Sequence, residues 1–477
     1  MSLRSDADLT GHLTSCEGLT SYDVLDAARS LRGAFRGRNQ LTTQPVQGSP
    51  SKSFFVDMLT RDIRVSDSIL DLMDNSVDSA VAHTGLNVTK ILEGETSNVL
   101  RGYSVALKFR PGSFELVDTC GGIPAEDARQ RVFLLGNPGL RSAKRGLSVY
   151  GIGMKRAFFK LGNEITFETQ TDSERFSLGI DVRRWLSAGD TIWDFDVPEV
   201  TAPRKGQAAG TQIGIAALHE DVSRQFGRKT FSDSLIARIA STYALFLECG
   251  LQITVNGESV PSALPEVGGG NTTPARRETS YGDVDVLIVA GVTPKSDRTQ
   301  RGTYVFCNGR MVLEADRSQL TGWGDLLPKW HSKFGHFVGY LYFESDDVNL
   351  LPWTTTKQGV VYEAEVYQKA LKELQIQARP VLDFLTRLYP GDVEEAGLAE
   401  KEALAKVESA KVSELGQQDT QFRVDVPARE AGDREVSIQF SKKARDVEQL
   451  KRCFPRLKSA RALGSYAFDY LLKKECR

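Results

Sequence analysis

The chain has 477 residues, of which 40% are hydrophobic and 26% charged, which is the composition of an ordinary soluble globular protein with room for two or three domains. Its 60 Lys and Arg nearly balance its 62 Asp and Glu, so the overall charge predicts no polyanionic partner. No apolar run reaches bilayer length, no secretion signal follows the start, and the six cysteines form no C-x-x-C pair. We therefore expect no membrane partner, a cytoplasmic location and reduced thiols.

Residues 1–50 are polar, contain one predicted helix at 22–31, and end in a connector rich in Gly, Gln, Thr and Pro. Two interpretations of this segment remain open. It is either a flexible tail or an arm that straps onto a partner subunit.

The helical pattern that begins at residue 54 contains the most informative stretch, residues 67–80, DSILDLMDNSVDSA. As a helix it places Asp71, Asn75 and Asp78 within about 60° of one another on an otherwise apolar surface, so burial is predicted. No Lys or Arg occurs within the segment. Grouped carboxylates without a cation of their own predict an external one, and oxygen ligands suit Mg²⁺. The alternative is a solvated acidic stripe on a core helix.

The next informative segment is a predicted hairpin, residues 104–109 and 113–117, around Pro111-Gly112. Its second strand ends in Asp118-Thr-Cys-Gly-Gly-Ile-Pro. This is either a simple turn, because Asp and Gly suit turn geometry, or a ligand site. In a ligand site, glycine would let a flat molecule approach the backbone while Asp118 accepts a hydrogen bond from an exocyclic amine.

A short predicted helix at 125–135 leads into a basic, glycine-containing loop at 136–150. Gly151-Ile-Gly153-Met-Lys155 then opens a helix, which exposes N–H groups and the positive end of the helix dipole, and Gly162 is the predicted C-terminal cap. No Lys-Ser/Thr follows the second glycine and a third glycine is missing, so the segment is neither a P-loop nor a Rossmann fingerprint.

A second unit is predicted from residue 231, with a helix at 233–247 and strands at 252–255, 284–290, 303–307 and 336–343. Asn256-Gly257 and Asn308-Gly309 have the composition of hairpin turns. The segment LPWTTTK ends in Lys357, ahead of a predicted helix at 363–377. By itself, a lysine in such a loop is a surface residue.

The C-terminal part begins with residues 391–424, which are predicted to form an acidic helical connector. Residues 425–477 predict a strand at 436–440 and helices at 444–453 and 459–474. Residues 441–477 hold eleven Lys and Arg against four Asp and Glu, so this end is locally basic.

Three of these segments, followed by Gly210-Thr211 before an alternating stretch, resemble in order the motifs of the GHKL ATPase superfamily, which groups gyrase B, the heat-shock-90 chaperones, the sensor histidine kinases and MutL. The matching residues are Asp71, Asn75 and Asp78 in the first motif, Asp118, Gly121 and Gly122 in the second, Gly151, Gly153 and Lys155 in the third, and Gly210 with Thr211 in the fourth. Two positions depart from the family pattern. Cys120 stands where the first glycine of the second motif is usual, and Asp71 stands where a glutamate is usual.

The resemblance implies an α+β protein with a Bergerat-type α/β sandwich ATP-binding domain at 51–230. Residues 231–390 resemble the ribosomal-protein-S5-like transducer domain of the gyrase, MutL and MORC branch. The predicted organisation has three further parts: the arm at 1–50, the connector at 391–424 and a basic strand-helix-helix module at 425–477.

The resemblance also implies roles for individual residues toward ATP and Mg²⁺. The Asn75 oxygen would hold Mg²⁺, and Asp118 would accept from the adenine amino group. Lys357 would contact the terminal phosphate, and Asp71 would orient and deprotonate the attacking water. The remaining nucleotide-binding residues implied in this way are Asp78, Gly122, Gly151, Gly153, Lys155 and Thr211. Because aspartate is one methylene shorter than glutamate, slow hydrolysis is predicted.

Two classes of function follow. The first is an ATP-gated homodimeric clamp that acts on nucleic acid or a protein client, and the second is a nucleotide-binding regulatory or scaffold protein with negligible hydrolysis. The C-terminal module resembles a ribbon-helix-helix DNA-binding unit, and a dimerisation or protein-docking cap is the alternative. The second domain and the lack of a helical segment with a phosphorylatable His count against a sensor kinase. The roughly hundred residues that follow the predicted transducer domain are too few for the DNA-cleavage core of a topoisomerase.

Overall fold

The structure is a computed structural model that describes residues 51–92, 94, 98–134, 145–147, 151–195, 199–297, 299–389, 398–426, 441–457 and 459–475. The elements all belong to one unit, residues 52–477. The predictions for residues 1–50, for most of the loop 136–150 and for the strand at 436–440 lie outside the described residues.

A seven-stranded sheet forms the first part of the fold. Its strands are β1 Ser104–Arg110, β2 Ser113–Asp118, β3 Gly162–Gln170, β4 Arg175–Asp181, β5 Gly210–Leu218, β6 Gln252–Val255 and β7 Glu258–Ser259, in the spatial order β4-β3-β5-β2-β1-β6-β7. Buried and more exposed residues alternate along β1, β2 and β4, as expected for a sheet with one face on the core. The predicted hairpin at Pro111-Gly112 is confirmed, because Arg110 pairs with Ser113 across the turn.

Helices pack against this sheet. They are α1 Lys52–Thr60, α2 Val65–Thr84, α3 Val88–Leu92, α4 Ala125–Asp127, α5 Gly153–Leu161, α6 Val182–Ser187, α7 Glu220–Phe226, α8 Lys229–Thr242 and α9 Ala244–Glu248. The predicted helical run from residue 54 is thus two helices. As predicted, α2 is buried almost all round, and Gly85 closes it in the left-handed conformation, which glycine adopts without steric cost. Gly162 is the C-terminal cap of α5, as predicted, because its N–H donates to the Phe158 carbonyl. Its backbone is extended, however, and it is also the first residue of β3.

The strand β6 pairs in parallel with β1, with Ser104 opposite Gln252, so the first sheet extends past residue 230. The sequence places the strand at 252–255 in a second unit that begins at 231, and the structure places it in the first sheet, between β1 and β7. The alternation of apolar and polar residues predicts that this strand exists. It does not indicate which sheet the strand joins.

A second, five-stranded sheet follows. The strands that come next in the chain are β8 Val267–Gly270, β9 Thr272–Thr273, β10 Ala275–Tyr281, β11 Val284–Val292, β12 Gly302–Cys307, β13 Arg310–Asp316 and β14 Phe337–Glu344, and the order in the second sheet is β10-β11-β14-β12-β13. The helix α10, Glu365–Leu388, packs across β11 and β14 and continues through Pro380. Two sheets, each covered by helices, confirm the predicted α+β class.

The prediction that residues 391–424 form a helical connector is wrong in part. The described residues of this segment contain the helix α11, Leu398–Ala405, a single 3-10 turn at Val412–Glu414, and two short strands, β15 Val407–Ala410 and β16 Arg423–Val424. The strand β15 pairs with the glycine-rich β8, and β16 pairs with β9. An acidic, Ala- and Glu-rich composition favours a helix locally, but the open edges of β8 and β9 supply hydrogen-bond partners that local propensity does not include.

The last described elements are the helices α12, Ala444–Cys453, and α13, Ala460–Glu475, close to the predicted bounds. Among the described residues, we find no helix with the length and apolar character needed to cross a membrane.

Close approach of β5 to β2 requires glycine at residue 210. A Cβ atom on Gly210 would lie 2.0 Å from the carbonyl oxygen of Asp118, so Gly210→Ala forces the two strands apart. We expect a loss of about 1–3 kcal/mol of unfolding free energy, measured by chemical denaturation. Gly179→Ala in β4 is the matched control because no atom lies within 4 Å of its added Cβ. A loss of the same size at both positions would contradict the steric explanation.

Candidate functional site

The helix α2 carries three of the predicted site residues and is the element that the others surround. Asp71 and Asp74 are buried, and Asn75 and Asp78 are half-buried. The predicted burial of the acidic row is therefore correct, and a solvated stripe is excluded for Asp71 and Asp74.

The predicted lack of protein counter-charges is wrong. Asp71 pairs with Arg156, Asp67 pairs with Arg64 and Arg238, and Asp74 has two cationic partners of its own. Most of these cations lie far from α2 in the chain, so the spacing within residues 67–80 does not reveal them. The acids of α2 are not by themselves evidence for a bound metal.

Asp74 is the most completely buried of these acids, and its side chain has no solvent exposure. Oδ1 accepts from Arg310 Nε at 2.9 Å and from the Tyr243 hydroxyl at 2.7 Å, and Oδ2 accepts from Lys357 Nζ at 2.6 Å. Burial alone would raise the pKa of Asp74, but Arg310 and Lys357 outweigh it and hold that pKa below its ordinary value. The carboxylate is therefore ionised at neutral pH.

Lys357 thus reaches the helix that carries the first motif, although it lies in the loop after the second sheet. Its backbone has φ +54°, a left-handed conformation that costs a lysine on the order of 1 kcal/mol. Arg310 Nη1 donates to the Lys357 carbonyl at 2.8 Å, which helps to hold the residue in this conformation. Among the described residues, Arg310 Nη2 is a buried donor without a hydrogen-bond acceptor.

Asp71, one turn before Asn75, faces the first residues of α5. Its Oδ2 accepts from Arg156 Nε at 3.0 Å, and no described residue donates to its Oδ1. A Cβ on Gly153 would lie 3.4 Å from the Asp71 Cβ, so glycine allows α5 to approach at this point. Burial raises the pKa of Asp71, and Lys357 and Arg156 only partly oppose that rise.

Asp118 is the second polar centre of the site. Its Oδ1 accepts from the backbone N–H groups of Cys120 and Thr211 at 2.9 and 3.1 Å, and its Oδ2 accepts from the Ser76 hydroxyl at 2.7 Å. Ser76 is on α2, so one hydrogen bond joins the two centres. A carboxylate offers about four acceptor positions, which leaves capacity for one more donor. Burial raises the pKa of Asp118 despite these donors.

Packing against a neighbouring strand explains why residue 122, shortly after Asp118, is a glycine. Gly122 has φ +71°, and a Cβ there would lie 2.0 Å from the Gln170 carbonyl oxygen. The requirement for glycine at 122 therefore comes from a neighbouring strand rather than from a flat ligand. Cys120, which replaces the usual glycine, is fully buried and its thiol pKa is raised by burial.

The third predicted motif opens α5. Gly151 has φ +62°, and the Lys155 ammonium donates to its carbonyl oxygen. Lys155 is buried, and no carboxylate among the described residues forms an ion pair with it. Burial lowers its pKa from 10.5 to about 8. An anion placed here would regain the electrostatic energy that burial removes.

Residues 145–147, the described part of the basic loop, touch both halves of the fold. The Leu147 N–H donates to Asp78 Oδ1 on α2, and Asn308 Nδ2 donates to the Gly146 carbonyl at 3.1 Å. Arg145 pairs with Glu344 and with Asp346. The loop therefore joins the first motif to the second sheet.

Asn75 is the residue for which the sequence predicts a cation-binding role. Its Nδ2 donates to the Asp71 carbonyl oxygen at 3.0 Å, which fixes the plane of the amide, and the amide oxygen is the atom that would hold Mg²⁺. No group of three His, Cys, Asp or Glu in the described part of the chain could hold a metal ion. A single protein oxygen fits Mg²⁺ that takes its other ligands from phosphates and water.

A cavity of about 360 Å³ lies on another side of α2, between its first residues, the end of α5 and the helices α7 and α8. Its lining includes Arg64, Lys160 and Arg238 and none of the predicted nucleotide-binding residues. The predicted site and this cavity are therefore distinct.

Several residues that complete the site were not predicted. They are Asp74 as a buried acceptor, its partners Tyr243 and Arg310, the Asp71 partner Arg156, and the Asp118 partner Ser76. Ser76 lies inside the first motif, and helical spacing places it about 140° from Asp71, on a different side of α2. Asp74 lies only about 60° from Asp71, so the same spacing places it beside the predicted acids. No signal in the sequence connects Tyr243 or Arg310 to α2.

Residues 63–202 match the model of a protein family described as histidine kinase-, DNA gyrase B-, and HSP90-like ATPase. The matched range contains the first three predicted motifs, and Gly210 and Thr211 follow it. Residues 63–202 therefore form an ATPase domain of the GHKL superfamily, and the resemblance is confirmed at this level. No curated protein matches the chain.

The pair between Arg310 and Asp74 gives a stability prediction. Arg310→Met leaves Asp74 buried with one fewer cation, and we expect a loss of about 3–5 kcal/mol in unfolding free energy. Because the pKa of Asp74 is lowered by folding, this contribution is present at neutral pH and disappears as the pH falls below the ordinary carboxyl value of 3.8. Denaturant titrations at pH 7 and at acid pH measure both effects.

Arg277→Met is the control, because Arg277 forms an exposed pair with Asp419 that is worth at most about 1 kcal/mol. Equal losses for Arg277→Met and Arg310→Met would contradict the special role of the buried pair.

Proposed function

We propose that the chain is a Mg-ATP-binding ATPase with slow turnover that acts as an ATP-gated dimeric clamp. The observation that carries this proposal is that the second motif, the third motif and Lys357 all contact the buried helix that bears the first motif, while the fourth motif contacts Asp118 of the second. Asp71, Asp118, Gly153 and Lys357 contact α2 or belong to it, although they lie nearly 300 residues apart in the chain. A packing role alone gives no reason for these residue types to meet here.

The adenine end of ATP would lie at Asp118. This carboxylate is held by two backbone N–H groups and the Ser76 hydroxyl, so its direction is fixed before a ligand arrives. Its remaining acceptor capacity suits the exocyclic amino group of adenine, with Thr211 and Gly122 at the same edge of the sheet. This arrangement distinguishes adenine from guanine, which presents a carbonyl oxygen at the corresponding position.

The phosphates would lie at the start of α5. The backbone N–H groups of residues 151–155, the helix dipole and the Lys155 ammonium are all favourable to an anion. Mg²⁺ held by Asn75 would supply charge neutralisation between the phosphates. Asp78 holds the loop at Leu147 and would fix the wall of this pocket.

Asp71 would act as the general base. Because burial raises its pKa, Asp71 is a stronger base than a solvent-exposed aspartate. Arg156 fixes one carboxylate oxygen, and the other lies beside Gly153 at the start of α5. Arg156 is thus a positioning residue in this proposal. The shorter aspartate side chain places the base farther from the attacking water than a glutamate would, so hydrolysis is slow.

Lys357 would carry the nucleotide signal to the second sheet. Its ammonium lies on Asp74, beside the first motif, and the terminal phosphate offers it a second anionic partner. We propose that the second sheet and α10 act as a transducer of the type found in the MutL and MORC branch. In this proposal, ATP promotes homodimerisation of the chain around DNA or a protein client.

A regulatory or scaffold protein that binds ATP with negligible hydrolysis is the second candidate. The pairing of Asp71 with Arg156 favours it, because an arginine on the base competes with the water for the carboxylate. Steady-state phosphate release with and without DNA separates the two candidates. Stimulation by DNA supports the clamp, and turnover at the background rate in both conditions supports the regulatory protein.

Asp71→Asn tests the role of the base. We expect single-turnover hydrolysis to fall by about 10²–10⁴-fold, because the amide cannot accept a proton. ATP affinity, measured by calorimetry with magnesium, should change much less. Equal hydrolysis rates for the unaltered protein and Asp71→Asn would contradict the role of Asp71 as the base. If calorimetry detects no heat when the unaltered protein is mixed with Mg-ATP, the whole proposal is contradicted.

Lys155 gives a prediction in pH. Because burial lowers the pKa of Lys155 to about 8, keeping its amine protonated at pH 7 lowers the unfolding free energy of the nucleotide-free protein. This loss disappears as the pH rises from 8 toward 10.5, where the amine is neutral in the folded protein. We therefore expect Lys155→Met to raise the unfolding free energy at pH 7 by roughly 3 kcal/mol and to weaken ATP binding at least about tenfold.

The affinity of the unaltered protein should fall above pH 8, and that of Lys155→Met should not show this fall. Lys160→Met is the control, since Lys160 is on the same helix and donates to the Thr60 carbonyl. A pH profile that is the same with and without Lys155 would contradict its contact with phosphate.

A further inference from the structure

The cavity beside the first residues of α2 lies apart from the predicted nucleotide site, and cations dominate its polar wall. Its volume of about 360 Å³ falls within the range of about 300–1,000 Å³ that is typical of small-molecule pockets. The charged residues of its lining are Arg64, Lys160, Arg238 and Asp221. Three cations and one acid make a metal ion an unfavourable occupant, because like charges repel.

These cations have too few counter-charges. Arg64 and Arg238 share the single carboxylate of Asp67: Arg64 Nε lies 3.0 Å from Oδ2, and Arg238 Nη2 contacts Oδ1. Lys160 forms no ion pair with any described residue, and its ammonium donates to a backbone carbonyl at 3.2 Å. Even when the exposed Asp221 is counted with Asp67, the two acids leave one of the three positive charges without a counter-charge.

Arg238 is the cation that gains most from an added anion, since only 21% of its side chain is exposed. Burial lowers the pKa of its guanidinium, Asp67 opposes this only in part, and the nearby Arg64 and Arg310 add to the lowering. An arginine nevertheless stays protonated at neutral pH, so its charge is held at a cost in free energy. An anion in the cavity would offset that cost.

The neutral part of the lining fits a phosphate group joined to an apolar group. The Ser66 hydroxyl accepts from Arg238 Nη1 at 2.8 Å, and its own proton has no acceptor among the described residues. Ser234 and Gln225 add a hydroxyl and an amide to the same lining. Donors that come from several elements suit a tetrahedral oxyanion, which accepts from several directions. Phe231 and the other apolar lining residues form a wall for an organic group.

We propose that this cavity binds a small molecule with a phosphate group, held by Arg64, Lys160 and Arg238. The ligand is inorganic phosphate or a phosphate ester whose organic group lies on the apolar wall. This site is separate from the ATP site proposed above and does not depend on it. Arg238 Nη2 also donates to Gln358, the residue after Lys357, so the occupant lies one side chain away from the loop that reaches α2.

Calorimetric titration of the full chain without nucleotide tests the proposal, with inorganic phosphate and phenyl phosphate as probes. We expect dissociation constants of about 1 mM or lower, and tighter binding of phenyl phosphate by about threefold to tenfold, because its ring is buried on the apolar wall. Equal affinities would assign the site to inorganic phosphate, and tighter binding of phenyl phosphate assigns it to an ester. If neither probe binds, the proposal is overturned.

Substitutions locate the bound phosphate. Lys155→Met removes the ammonium at the start of α5, where the phosphates of ATP would lie, and we expect this variant still to bind both probes. In that background, Arg64→Met should weaken phosphate binding at least about tenfold, because it removes a charge-assisted hydrogen bond. Arg61→Met is the matched control, since Arg61 is also exposed and lies three positions away, outside the lining.

The side chain of Arg64 is 69% exposed, so the chain should stay folded without it, and circular dichroism checks this. Two outcomes overturn the proposal. Loss of all phosphate binding in Lys155→Met would place the phosphate at α5 alone. Equal affinities for Arg61→Met and Arg64→Met in the same background would show that the anion is attracted by general surface charge and not by the cavity.

Discussion

The buried carboxylate of Asp74 is the constraint on which the arrangement of the two sheets depends. An ionised acid without solvent exposure needs strong partners, and here the partners come from three distant parts of the chain: Tyr243, Arg310 and Lys357. Tyr243 lies at the end of α8, Arg310 begins β13, and Lys357 follows the second sheet. Because a misplaced partner would leave a buried charge uncompensated, the second sheet can dock on α2 in few ways. The same contacts bring Lys357 close enough to Asp71 to lower the pKa of that carboxyl.

Much of the site could be predicted because its first part is local. The spacing of Asp71, Asn75 and Asp78 on one helix depends only on helix geometry, and residues 104–118 form a hairpin through the turn chemistry of Pro111-Gly112. The family match over residues 63–202 confirms the domain type that these motifs indicate. The individual roles of the site residues toward ATP remain predictions, and the structure adds the geometry on which they rest.

The remainder could not be predicted because it depends on contacts between distant segments. Helical spacing shows that α2 is acidic, but not that Arg156, Arg238, Arg310 and Lys357 neutralise it. Alternation predicts the strand at 252–255, and only its pairing with Ser104–Leu107 assigns it to the first sheet. Residues 407–410 look helical by composition and pair as a strand with β8, because an open edge offers hydrogen bonds that a local rule cannot count. In each case, a long-range partner outweighs local preference.

The membership of β6 and β7 in the first sheet has a mechanical consequence. The covalent link between the two sheets is the stretch 260–274, between the end of β7 and the start of β10, and its Ala263 N–H donates to the Ala240 carbonyl on α8 at 3.1 Å. Farther along this stretch, β8 pairs with β15 and β9 pairs with β16, so the connection is held at three points along its length. A rearrangement of the second sheet that keeps these contacts must pivot near the connection.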